Sequence, residues 1–112
     1  MATRSSTTSP RPASVIAWPL TLEAELPERD VAHIEGLLPI LARHMADAGG
    51  VRAVTVEALA PGRLLRVEVT LEAWDLVEAV SRAIALLRSC ARRAGLGRPI
   101  VLGVLSTGTP GP

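Results

Sequence analysis

Residues 64–95 read LLRVEVTLEAWDLVEAVSRAIALLRSCARRAG, and the hydrophobic period of this stretch changes from two to about 3.6 near Asp75. Apolar and polar residues alternate over 64–73, which predicts a strand with one buried face. After Asp75 the apolar residues recur every three or four positions, which predicts a helix that ends before Gly95. Asp75 and Glu78 have the spacing of a capping box. The stretch therefore predicts a strand followed at once by an amphipathic helix.

The same two periods extend through the rest of the chain. Pro19 lacks an amide hydrogen, so we expect the paired part of the first strand to begin near Leu20. Pro39 removes one helical hydrogen bond and predicts a kink in the first helix. The predicted strands are 17–26, 51–60, 64–73 and 100–105, the predicted helices are 27–48 and 75–94, and a tight turn over 60–63 joins the middle strands.

The element order βαββαβ predicts an α+β fold. Two right-handed βαβ crossovers joined by a hairpin resemble the ferredoxin-like α/β plait. That fold has a four-stranded antiparallel sheet in the order 4-1-3-2, with both helices on one face. Because the fold hosts many unrelated activities, this resemblance implies no function.

The length and composition predict one small globular domain. The chain has 112 residues, 48% of them hydrophobic and 21% charged, with a net charge of +1. We expect a single domain over 14–105, a disordered arm rich in Ser, Thr and Pro over 1–13, and a disordered tail over 106–112. There is no Lys, Asn, Gln, Phe or Tyr, and this bias matches the GC-rich codons of a bacterial genome.

The sequence favours a cytoplasmic, non-catalytic protein. No apolar run approaches the roughly 20 residues of a membrane helix. No apolar segment follows Arg4 to form a signal peptide, so we expect no membrane association. Cys90 is the single cysteine and cannot form an intrachain disulfide. We find no nucleophile elbow, phosphate loop, dinucleotide fingerprint or paired Cys or His ligands, so no cofactor, metal or catalytic residue is predicted.

Two surfaces of the predicted sheet are candidates for interaction. The face without helices is mostly acidic, and it is an ordinary solvated face, a contact for a basic protein partner or, although its dispersed glutamates lack ligand spacing, a divalent-metal site. The last strand is apolar on both sides, so a second subunit or the chain's own tails should cover Val101 and Leu105. The candidate interaction residues are Val101, Leu105, Glu23, Glu25, Glu68 and Glu72.

The second helix carries several arginines near its C-terminal end. Arg88, Arg92 and Arg93 are either a solvated face favoured by the helix dipole or candidates for an anion site. Nucleic acid is a disfavoured partner, because plaits bind RNA mainly through aromatic residues of the sheet, whereas the uncovered face of this sheet is acidic and has no aromatic residue.

These patterns predict an interaction or assembly module that forms a homo-oligomer through its sheet or its fourth strand. One alternative is a regulatory domain that senses a small molecule at a subunit interface. Another is an enzyme of the dimeric α+β barrel kind, in which the glutamates of the uncovered face would point into a cavity between two facing sheets.

Overall fold

The protein is described here by a computed structural model that covers residues 15–26, 31–59 and 63–111. The predicted arm over 1–13, the start of the first predicted helix and residues 60–62 of the predicted turn over 60–63 lie outside these ranges. The elements are β1 (Ile16–Glu25), α1 (Val31–Ala46), β2 (Val51–Leu59), β3 (Leu64–Ala73), α2 (Leu76–Arg93) and β4 (Ile100–Ser106).

The four strands form one antiparallel sheet in the order β2-β3-β1-β4. This order is the predicted 4-1-3-2 read from the opposite edge. On the covered face, Leu22 of β1 lies opposite Val67 of β3, which lies opposite Val56 of β2. Both helices pack on this face, where α1 contributes Ile34, Leu41 and Met45 and α2 contributes Ala83 and Leu87. The predicted α+β class, four-stranded sheet and strand order are confirmed.

The start of α2 is capped as its sequence predicts. Asp75 is the N-cap, and its Oδ1 accepts a hydrogen bond from the Glu78 amide at 2.8 Å. Glu78 Oε1 in turn accepts from the Trp74 amide at 2.6 Å, one residue earlier than in a standard capping box. Both bonds satisfy amides that have no partner within the helix.

Pro19 does not delay the first strand, contrary to the expectation from the sequence. β1 begins at Ile16, and Pro19 lies opposite Thr70 of β3. The Pro19 carbonyl accepts a hydrogen bond from the Thr107 amide at 3.0 Å, so the backbone groups of Pro19 face the β4 side. Its missing amide hydrogen is therefore on the side away from β3, and pairing with β3 continues past it.

The C-terminal residues also differ from the disordered tail expected over 106–112. Ser106 belongs to β4, and Ala17 and Gly111 exchange two backbone hydrogen bonds of 2.7 and 2.9 Å. The tail up to Gly111 thus follows the edge of β1. Composition does not reveal this pairing because backbone groups form it.

A β-bulge changes which residues of β4 face the helices. The pairing of β1 with β4 shifts between Glu23 and Ala24, which leaves Leu102 as an extra residue. Val101 and Val104 consequently both lie on the covered side, packed against the core. The expectation that Val101 shares the open face with Leu105 is therefore wrong. Simple alternation places residues four apart on one face, and a single inserted residue reverses that relation.

Candidate functional site

The exposed part of β4 carries an apolar strip, which we define as Ile100, Leu102 and Leu105. Their exposed fractions are 47%, 56% and 66%. Ile100 lies opposite Glu25 and Leu105 opposite Thr21, so both belong to the open face, while Leu102 lies at the bulge. β4 is an edge strand, and its sequence IVLGVLS contains no charged residue. This strip replaces the predicted pair of Val101 and Leu105.

The four glutamates predicted to mark an interaction surface all lie on the open face. They lie on the two central strands, and the register places each of them opposite another residue of the open face. Glu23 and Glu25 are on β1, and Glu68 and Glu72 are on β3.

An arginine at the centre of the open face balances part of this negative charge. Arg66 of β3 lies opposite both Glu23 of β1 and Glu57 of β2. Its guanidinium nitrogens lie 3.5 Å from a Glu23 oxygen and 3.4 Å from a Glu57 oxygen. Because these groups are exposed, each pair contributes at most about 1 kcal/mol. The row joins the three strands and carries both signs of charge.

Two of the other glutamates also have partners within the chain. Glu72 forms an ion pair of 2.9 Å with Arg52 of β2. Glu68 accepts a hydrogen bond of 3.3 Å from the hydroxyl of Thr55. The open face is thus a mixed surface of carboxylates, arginines and threonines, not an unbroken acidic array.

A shallow cavity of about 340 Å³ lies on the same face. Glu68 lines it together with three threonines, Thr55, Thr70 and Thr107. Thr107 reaches the cavity because the C-terminal tail lies beside Pro19. The rest of the lining is apolar, and the Glu68 carboxylate and the threonine hydroxyls are the groups that can form hydrogen bonds to a ligand.

A larger cavity of about 810 Å³ lies between the C-terminal half of α2 and the start of β4. Of the predicted anion-site arginines, Arg88 and Arg92 line it and Arg93 does not. Arg98 is a third lining arginine that sequence reasoning missed. The sequence feature that could have identified Arg98 is its position between Gly97 and Pro99, shortly after Gly95 ends the helix.

Cys90 lies on the apolar face of α2 and belongs to the hydrophobic core. It is buried, and burial raises the pKa of its thiol, while the nearby Arg93 charge opposes this shift more weakly. The described ranges contain no cluster of three or more His, Cys, Asp or Glu residues arranged to hold a metal ion. None of the helices within them is long and apolar enough to cross a membrane.

Comparison with known proteins adds information about the fold. No protein-family model matches the chain, and no curated protein matches it. A solved structure described as "Structural Genomics, protein YJCS" superposes with a TM-score of 0.55 at 12% identity, covering 84% of this chain and 98% of that one. A structure of Rv0793 from Mycobacterium tuberculosis gives a TM-score of 0.42 at 16% identity, covering 86% and 97% of the two chains. At 12% identity, the similarity to the first structure shows only that the two proteins share a fold. It gives no information about activity.

Proposed function

We propose that this protein is a ferredoxin-like plait that acts as a non-catalytic assembly module and associates with a second copy through its open face along β4. The observation that carries the proposal is the exposed apolar strip of Ile100, Leu102 and Leu105. All three belong to one short edge strand, and a concentration of exposed apolar side chains is typical of interaction surfaces.

The chemistry of the open face favours a second copy as the partner. In a two-fold contact, the same surface of each copy faces the other. Ion pairs across such a contact require that this surface carry both positive and negative groups. The row of Glu23, Arg66 and Glu57 has this property. The bulge at Leu102 interrupts the outer edge of β4, which favours packing between faces over a continuous ladder between edges.

Sedimentation velocity and light scattering over a range of protein concentrations test this proposal. We expect the wild type to be a dimer and Leu105→Glu to weaken the dimer at least about a hundredfold, because the variant would bury an unpaired charge. Val77→Glu is the matched control, since Val77 is an apolar residue of α2 that is 76% exposed and distant in sequence from β4. A monomeric wild type, or a Leu105→Glu dimer as tight as the wild type, would contradict the proposal.

The cavity around Glu68 supports a second candidate function, in which two facing sheets enclose a small polar molecule as a sensor or an enzyme would. Native mass spectrometry of gently purified protein should then show additional mass on the dimer. Glu68→Gln should lose this mass, and Glu35→Gln should keep it because Glu35 is exposed on α1 and lines neither the cavity nor the open face. Additional mass that both variants retain would contradict this second candidate.

A further inference from the structure

We propose that the cavity between α2 and β4 is a binding site for a small organic phosphate, held by Arg88, Arg92 and Arg98. The inference goes beyond self-association, because all three arginines belong to one chain. Its basis is the way the fold collects three cations around one concave surface.

The loop after α2 brings Arg98 to the helix. Gly95 and Gly97 have φ angles of +86° and +82°, in a region that other residues rarely adopt, and they reverse the chain. Leu96 and Pro99 are buried and anchor the loop on either side, while Arg98 is exposed. Because the backbone of Arg98 is held in place, binding a ligand costs little ordering of the loop.

The three arginines form an uncompensated group of charges. Arg88 and Arg92 are four residues apart on α2, where two like charges disfavour the helix by a few tenths of a kcal/mol, roughly. The ion pairs found among the described residues involve Arg52 and Arg66 and none of these three arginines. The C-terminal end of a helix contributes only about half a negative charge. A multiply charged anion would balance the remainder.

The chemistry of the lining identifies the ligand class. Guanidinium groups bind phosphate through paired hydrogen bonds, and the Ser89 hydroxyl adds another donor. Ala85, Pro99 and Ile100 form an apolar part of the wall. A volume of about 810 Å³ exceeds that of a lone phosphate and lies in the range of cavities that hold small organic molecules. We therefore infer a phosphate group attached to an organic portion.

A small molecule fits this site better than a nucleic acid does. Duplex and single-stranded nucleic acids bind along extended tracks of positive charge. Here the cations surround one cavity, whereas the open face on the other side of the sheet carries Glu23, Glu25, Glu68 and Glu72. The sheet therefore offers no extended positive track along which a phosphate backbone could continue from the cavity.

Isothermal titration calorimetry of the full chain with inorganic pyrophosphate at low ionic strength tests the proposal. We expect saturable binding of one pyrophosphate per chain. Arg98→Gln should weaken it about tenfold or more, since it removes a charge-assisted hydrogen bond. Arg93→Gln is the matched control, because it removes the same charge from α2 outside the cavity lining, and it should weaken binding less than about threefold. Circular dichroism should show all variants folded, because these side chains are exposed.

Three results would overturn the proposal. One is the absence of saturable binding at millimolar pyrophosphate, and another is equal weakening by Arg93→Gln and Arg98→Gln, which would indicate diffuse charge attraction. The third is tighter binding of a mixed-sequence RNA than of pyrophosphate, abolished by Arg98→Gln. The Leu105→Glu variant should still bind pyrophosphate, so failure of the assembly proposal would leave this one standing.

Discussion

At the scale of single residues, burial decides the chemistry of Cys90. A free thiol is reactive only as the thiolate, which needs exposure and a stabilising positive charge. Cys90 is 2% exposed, and desolvation outweighs the effect of Arg93 on its pKa. We therefore expect a thiol reagent to label the native protein far more slowly than the urea-unfolded protein, as followed by absorbance.

The raised pKa of Cys90 also predicts the dependence of stability on pH. The thiol ionises at lower pH in the unfolded chain than in the folded one, so above the ordinary thiol range the unfolded state binds fewer protons. The free energy of unfolding of the wild type should then fall as the pH rises above about 8.5, the ordinary pKa of a thiol. Cys90→Ala should show a smaller fall in denaturant titrations, and equal slopes for the two proteins would contradict this explanation.

The role of Arg82 is not evident from the sequence. The spacing of Glu78 and Arg82 suggests an ion pair along α2. In the structure, the Arg82 guanidinium donates instead to the carbonyls of Glu72 and Gly49, so it connects α2 to the end of β3 and to the turn before β2. Sequence spacing indicates neighbours on the helix, whereas these carbonyls come from elements brought close by folding.

At the scale of elements, the N-terminal cap of α2 makes a prediction about stability. Asp75→Ala removes the acceptor for the Glu78 amide and should lower the free energy of unfolding by about 1 kcal/mol. Asp75→Ser is the control, since serine caps helices nearly as well as aspartate does. Chemical denaturation monitored by circular dichroism measures both. Equal losses for the two variants would show that the cap bond is not the cause.

The pairing of the C-terminal tail with β1 makes a second prediction at this scale. A Cβ on Gly108 would lie 3.1 Å from Cγ of Pro19, so Gly108→Val should push the tail away from β1. Hydrogen exchange at the Ala17 and Gly111 amides should be slow in the wild type and faster in this variant. Thr109→Val, a change at an exposed neighbouring residue, should leave exchange slow. Fast exchange at Ala17 in the wild type would refute the pairing.

At the scale of the whole molecule, the proposed dimer should change thermal stability. A domain of this size buries a modest fraction of its surface, so covering the apolar strip adds appreciably to its stability. Dimerisation stabilises the native state by mass action, and the Tm of the wild type should therefore rise with protein concentration. Differential scanning calorimetry should show no such rise for Leu105→Glu. A concentration-independent Tm in the wild type would argue against association in the native state.

The architecture of the molecule follows largely from its hydrophobic pattern. Alternation along β1, β2 and β3 correctly predicts which residues share a face, as for Val56 and Val67 on the covered face and Glu57 and Arg66 on the open face. The same reasoning locates α2 and its cap. These features are predictable because period and capping depend on residues close together in sequence.

The sequence by itself determined the order of the elements, the strand order and the face that packs against the helices. Only the tertiary structure decided the bulge at Leu102, the side of the sheet on which Val101 lies, the pairing of Gly111 with Ala17, and the place of Arg98 beside Arg88 and Arg92. These depend on register and on contacts between distant segments, where one inserted residue reverses a face and backbone atoms bond without regard to side-chain type.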